Sequence, residues 1–353
     1  MSERARLLHD SPWQGVFHLT GGGAGFLAEM LGTAGASRTV LEASVPYSAA
    51  SLAELLGGAS EQACCGATAR ALAMAGFQRA MRLDAVQPFG FASTASLATD
   101  RAKRGTCRAH MAVQTAGRGF HLEYGPFAAA DDRESQEREL VEAAWATLLA
   151  ALGLSGAEPP AMRSVQAAPE WRPLVEGSVD HLCTADHDGA LLFPGSFNPL
   201  HDGHRRMMAI AERRLRKSGA FELSIENPDK PLLDYFDIRA RLEALDRPAW
   251  LTRLPTFAEK ARRFPGATFV VGIDTLARIA DPRYYGGERE RDEQLAEMLG
   301  RGARFLVFGR LFDGSFQQLG GQALPAALRD ACIGVDEAEF RMDLSSTAIR
   351  NAR

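Results

Sequence analysis

Two histidines three positions apart, His201 and His204, close a ten-residue stretch, Gly195-Ser196-Phe197-Asn198-Pro199-Leu200-His201-Asp202-Gly203-His204, set between an apolar run and a helical pattern. These residue types suit phosphate chemistry. Gly195 and Gly203 let backbone approach a ligand closely. A turn that opens a helix aims free N–H groups at an anion. Imidazoles donate hydrogen bonds and, once protonated, offset charge that gathers on a transferring phosphorus. Far along the chain, Leu344-Ser345-Ser346-Thr347-Ala348-Ile349-Arg350 reads as a strand end entering a helix, with Ser345 as candidate N-cap. Its hydroxyls and N–H groups are suited to a β- or γ-phosphate, and Arg350, one turn in, to a bidentate contact. A helix N-terminus contributes only ~0.3–1 kcal/mol to an exposed anion. Charge-assisted hydrogen bonds add ~1.5–3 kcal/mol each, so the Arg and His contacts outweigh the dipole. Taken singly, each stretch has a bland reading, a chance pattern or an ordinary cap. The pair is what points to chemistry.

The elements that must position these residues follow from periodicity. Residues 191–193 read as a buried strand, 203–218 as an Arg-rich helix, 221–226 as a strand, 238–245 as helical, and 250–254 and 268–273 as strands. A helical turn begins at Asp274, and 303–308 is a further strand. Strands alternating with helices predict βαβ units, a parallel sheet and right-handed crossovers, with ligands beyond the carboxyl ends of the strands. The fold class expected is α/β in two domains: a Rossmann-like doubly wound sheet over 186–353, and a mixed α/β domain over 1–152. Between them, 153–185 carries Pro159, Pro160, Pro169 and Pro173 and reads as linker.

On these motifs, residues 191–353 resemble the HxGH nucleotidyltransferase superfamily, most of all the nicotinamide or nicotinate mononucleotide adenylyltransferases. Gly-Ser-Phe-Asn-Pro is nearer to that family than to the Thr-Phe-Asp form of cytidylyltransferases and phosphopantetheine adenylyltransferases. Glu226-Asn227-Pro228 with Lys230 resembles its second-strand loop, Gly272-Ile273-Asp274 its Gly-x-Asp motif, and Val307-Phe308-Gly309-Arg310 its strand ending in an ATP-binding Arg. The resemblance implies transfer of AMP from ATP to a phosphorylated acceptor. His201, His204 and Arg350 would be catalytic. Gly195, Ser196, Phe197, Asn198, Gly203, Lys230, Gly272, Asp274, Arg310, Ser345, Ser346 and Thr347 would bind nucleotide. Magnesium would be held mainly through substrate phosphates, with no dedicated protein metal site. Tyr284 or Tyr285 is the candidate for stacking on the acceptor's ring; the alternative is a surface turn with partly buried tyrosines.

The N-terminal region carries Thr20-Gly21-Gly22 before a helix at 25–31, a strand at 40–45, and Tyr47-Ser48 ahead of a helix ending Leu55-Leu56-Gly57. A long Ala-rich helix over 61–81, paired strands at 107–115 and 120–124, and a helix over 134–152 complete the pattern. Thr20-Gly21-Gly22, Ala36-Ser37 with the strand after it, and Tyr47-Ser48 with its helix resemble the C-terminal domain of the competence-damage-inducible protein A (CinA) family, some of whose members are nicotinamide mononucleotide deamidases. Where that motif has a serine nucleophile this chain has His18, and where a lysine follows Tyr-Ser it has Leu52. A hydroxyl nucleophile needs a base, and beside Ser48, Ser93 or Thr94 nothing replaces the missing lysine. The expectation is a domain without deamidase activity. Arg101, Lys103 and Arg104 form a basic run that is either solvated or in contact with an anion.

The chain has 353 residues, a net charge of −4 and 46% hydrophobic residues, the profile of a globular protein without general affinity for nucleic acid or anionic membranes. Five cysteines without zinc-ligand spacing read as thiols in a reducing compartment. With no signal peptide or spanning segment recognised, the cytoplasm is expected. The expected partners are ATP and a phosphorylated small molecule; a homo-oligomer stays open. Two alternatives remain: a non-catalytic nucleotide sensor or assembly subunit, and a cytidylyltransferase or phosphopantetheine adenylyltransferase.

Overall fold

A computed structural model describes residues 2–349 apart from 61, 101–104, 129–131, 157–158, 160, 227–232, 313–314, 343–345 and 347–348. The chain forms two compact units, residues 1–178 with 228–238, and 179–227 with 239–353.

In the first unit the elements are α1 (Glu3–His9), β1 (Trp13–Thr20), α2 (Ala24–Leu31), β2 (Val40–Ser44), α3 (Ala49–Leu56), α4 (Gly66–Arg82), β3 (Gln87–Ser96), β4 (Arg108–Thr115), β5 (Arg118–Tyr124), α5 (Arg133–Ala151), β6 (Arg163–Gln166) and α6 (Trp171–Glu176). Its sheet runs β2-β1-β3-β4-β5-β6, with β2, β1 and β3 parallel and the rest antiparallel. One face buries Phe17, Phe89, Phe91 and Met111 against Phe26 of α2 and Trp145 of α5. The other carries α4 on small residues. A Cβ at Gly90 would lie 1.9 Å from the Ala73 carbonyl oxygen, so only glycine lets that helix lie so close to β3. The long helix starts at Gly66 and not at 61, because Cys64 is drawn onto the sheet, its Sγ donating to the carbonyls of Thr94 and Arg108.

Residues 153–185, expected as a linker, are built into the sheets. β6 pairs with β5, and Trp171, Leu174 and Val175 of α6 are buried. Pro169 precedes α6 and Pro173 stands in its first turn, where a missing N–H costs no helix bond. The segment 233–238 belongs to the first unit. Arg70 of α4 donates to Asp234 at 2.8 Å and to Asp237 at 3.1 Å, and the Tyr235 hydroxyl donates to the Ala116 carbonyl at 2.7 Å.

The second unit contains β7 (His181–Cys183), β8 (Leu191–Pro194), α7 (Asp202–Leu215), β9 (Ala220–Ser224), most of α8 (Tyr235–Ala244), β10 (Ala249–Thr252), α9 (Phe257–Arg263), β11 (Thr268–Gly272), α10 (Ile273–Ala280), α11 (Glu288–Gly300), β12 (Arg304–Phe308), the hairpin β13 (Arg310–Phe312) and β14 (Ser315–Gln317), α12 (Ala326–Asp330) and β15 (Cys332–Val335). Its α8 begins three residues before the expected start, because the Asp234 carboxylate accepts from the N–H groups of Phe236 and Asp237. The sheet order is β15-β12-β11-β8-β9-β10-β7, parallel throughout except for β7 against β10. Counted along the chain, the six parallel strands stand in the spatial order 3-2-1-4-5-6, the Rossmann arrangement, with the order reversing between β8 and β11. Alternate residues serve the two faces. Leu192, Phe269, Val271, Phe305 and Val307 pack with α9, α10 and α11. Leu191, Phe193, Val270, Leu306 and Phe308 pack on the side of α7. This is the doubly wound sheet the alternating pattern predicts. Among the described residues no helix is long and apolar enough to cross a membrane.

Candidate active site

β8 lies at the centre of its sheet, and its carboxyl end runs into the histidine-bearing turn. Gly195 donates its N–H to the Glu222 carbonyl at 3.0 Å, which ties the start of the turn to β9. Phe197 anchors the middle. It takes a left-handed φ of 45° and buries its ring against Phe221, Phe193 and His204. A Cβ at Gly195 would meet that ring at 2.6 Å, so the glycine is required for the buried anchor. The peptide between Asn198 and Pro199 is cis. Arg241 of α8 donates to the Ser196 carbonyl at 3.1 Å and holds the turn from outside.

His201 is the N-cap of α7, and its bonds fix the tautomer. The Gly203 N–H donates to Nδ1 of His201 at 3.2 Å, and the His201 N–H donates to Nδ1 of His204 at 3.3 Å. The two imidazoles thus form a reciprocal capping box in place of the usual Ser and Glu. With each Nδ1 accepting, a neutral ring carries its proton on Nε2. The rings stack at 3.8 Å between centroids and 27° between planes. Burial pushes His204 down to about 3, helped by the neighbouring His201 and Arg205. His201 is lowered too, first by burial and then by the charges of Arg310 and Arg205, against the opposite pull of Asp202. Both rings are neutral at physiological pH in the free protein. A bound polyphosphate would favour their charged forms and strengthen the contact.

The other described candidates gather at the same edge of the sheet. Gly272 ends β11 and caps α10, with Asp274 in the first turn. A Cβ on Gly272 would stand 2.7 Å from the Asp274 carboxylate. Arg310, two residues past β12, reaches Asp274 at 3.5 Å, and both side chains are substantially exposed. Ser346 donates its hydroxyl to the Pro199 carbonyl at 3.1 Å, which sets this one distant residue against the histidine turn. Lys230, Ser345, Thr347 and Arg350 lie outside the described residues. Tyr285 is tied down by a bond from its hydroxyl to the Ile279 carbonyl. Tyr284 is exposed, with the Arg278 guanidinium 5.1 Å from its ring. The roles of Arg241 and Arg205 had no sequence signal to set them apart from the other arginines on neighbouring helices.

In the first unit His18 is buried, its Nδ1 2.7 Å from the Ser44 hydroxyl, and burial lowers it to about 4. Ser93 and Thr94 are fully buried, Ser48 is spent as the N-cap of α3, and Leu52 lies in an apolar cluster. Arg101, Lys103 and Arg104 lie outside the described residues.

Residues 192–352 match the cytidylyltransferase-like family model. No curated protein matches the chain. Among solved structures, similarity falls on competence-damage proteins over the N-terminal part. The competence/damage-inducible protein CihA from Agrobacterium tumefaciens is 19% identical over 42% of this chain and 96% of its own, with a TM-score of 0.35. The competence or damage-inducible protein from Enterobacter asburiae is 18% identical over 43% and 93%, with a TM-score of 0.36. The CinA superfamily protein from Enterobacter cloacae is 15% identical over 43% and 91%, also with a TM-score of 0.36.

Proposed function

We propose that the cytidylyltransferase-like domain of residues 192–352 moves the adenylyl group of ATP onto the phosphate of nicotinamide or nicotinate mononucleotide and releases pyrophosphate. The observation that carries this reading is the reciprocal imidazole cap, which leaves two Nε2–H donors at the start of α7, beside the strand-order reversal. The bond from Ser346 to Pro199 supports a single phosphate site shared by both stretches.

The acceptor phosphomonoester has a second pKa near ~6 and is mostly a dianion at neutral pH, so the reaction needs no general base. An acceptor oxygen attacks the α-phosphorus in line. The bond from that phosphorus to the bridging oxygen breaks, and the electron pair leaves on pyrophosphate. The protein's part is positioning and charge neutralisation. His201 and His204 donate to the phosphate oxygens, and the backbone N–H groups of the turn face the same charge. If magnesium accompanies the nucleotide, Asp274 would offer it a single hard oxygen, and the ion would neutralise phosphate charge while keeping several waters.

ATP or CTP labelled at the α-phosphate, offered with each pyridine mononucleotide and with phosphopantetheine, tests the reading. Label should pass from ATP to a pyridine mononucleotide. Transfer only from CTP, or only to phosphopantetheine, would replace it with one of the alternatives.

A further inference from the structure

We propose that the ion pair between Glu226 and Arg253 selects the acceptor, favouring a primary carboxamide over a carboxylate at the end remote from its phosphate. The inference rests on the adenylyl-transfer reading and adds the acceptor preference. The described nucleotide-side candidates beyond the turn, Gly272, Asp274 and Arg310, follow β11 and β12 on one side of β8. On the other side of β8 stand β9 and β10. Glu226 stands just past β9 and Arg253 just past β10, and their side chains pair across the gap while staying about a quarter exposed, at 28% and 23%.

The pair is held from behind. The Ser224 hydroxyl donates to the Glu226 carbonyl at 2.6 Å, the Ile225 N–H to the Thr252 carbonyl at 2.8 Å, and the Arg253 N–H to the Asp180 carbonyl at 2.8 Å. Strands in a sheet lie ~4.8 Å apart, so Arg253 is two spacings, roughly 10 Å, from the end of β8. That suits the far end of a mononucleotide whose phosphate sits at the histidines.

The chemistry of the pair then decides between ligands. A carboxamide offers a carbonyl oxygen to the guanidinium and an NH2 to the carboxylate, so both members gain a partner and stay together. A carboxylate can reach the same guanidinium, but it has no donor for Glu226 and sets a like charge beside it, so it gains less than the amide does.

Two measurements test this in the full-length chain. Steady-state kinetics with ATP and either nicotinamide or nicotinate mononucleotide should show a preference for the amide of about 10- to 100-fold, the worth of one hydrogen bond to a charged group. Glu226→Gln should cut that ratio by about tenfold or more, read in the acceptor KM. Calorimetry of each acceptor with the protein in the absence of ATP should give the same ratio in Kd, whether or not a dinucleotide forms. Equal or carboxylate-favouring binding by the unaltered protein, binding of neither acceptor, or a ratio unmoved by Glu226→Gln overturns the inference. Amide-selective binding without any label transfer would instead overturn the adenylyl-transfer reading and leave the selection standing.

Discussion

At the residue scale, two imidazoles cap the backbone of α7 and, in the proposed reaction, donate to phosphate as well. Each spends Nδ1 on a backbone N–H, so each can present only Nε2 to a ligand. His201→Ala removes one donor and one cap. With a charge-assisted hydrogen bond worth ~1.5–3 kcal/mol, kcat/KM should fall by about 10- to 100-fold. His201→Asn, which keeps a capping oxygen, should recover stability but not rate. Rate measurements beside urea melts check this, and a full rescue of rate by Asn would show that the ring serves only as a cap. The residue types and the three-position spacing were legible in the sequence, but they point to chemistry only together with the distant Ser-Ser-Thr stretch. The tautomer was not, since it depends on which backbone groups the folded turn places against each ring. The Glu226–Arg253 pair was hidden for a similar reason. Its members are distant in sequence and meet only because β9 and β10 are neighbours.

At the element scale, the turn between β8 and α7 works because two glycines make room for side chains that must lie flat. A Cβ at Gly203 would sit 2.9 Å from two atoms of the His201 ring. Gly203→Ala should therefore tilt His201 out of its cap and lower kcat severalfold or more. Stability should change little, because alanine is favoured over glycine inside a helix by up to ~1 kcal/mol. Activity retained at the level of the unaltered protein would mean that the ring orientation does not matter. The strands and helices around this turn were readable, since β8, β11 and β12 are continuous apolar runs of the kind a doubly covered parallel sheet demands. The elements within 153–185 were not. Their prolines suggested a linker, yet β6 needs only four residues against β5, and α6 tolerates Pro173 in its first turn. Short edge strands carry too few residues for periodicity to register.

At the scale of the whole molecule, three buried histidines set a pH limit on stability. Burial holds His18 at about 4, and His121 and His204 at about 3, against an ordinary value of 6.5. Between pH 6.5 and those values the unfolded chain binds protons that the folded chain refuses. Their contribution is therefore complete above pH 6.5 and falls as the pH drops, by up to about 1.4 kcal/mol per pH unit for each histidine. Urea midpoints should decline from pH 7 to pH 5, a range above the ordinary carboxylate values. His121→Asn should flatten the decline of the first unit. Midpoints that hold or rise toward pH 5 would contradict the burial of these rings.

Passage of one adenylyl group to an acceptor phosphate at the histidine turn is the step on which the other expectations depend. Single-turnover reaction of the full-length chain with ATP labelled at the α-phosphate and a pyridine mononucleotide reads that step without product release. Label should appear in a dinucleotide with one pyrophosphate per labelled product, and His204→Ala should lose about 10- to 100-fold in rate. Label that stays in ATP, or transfer at an unchanged rate in His204→Ala, would contradict it.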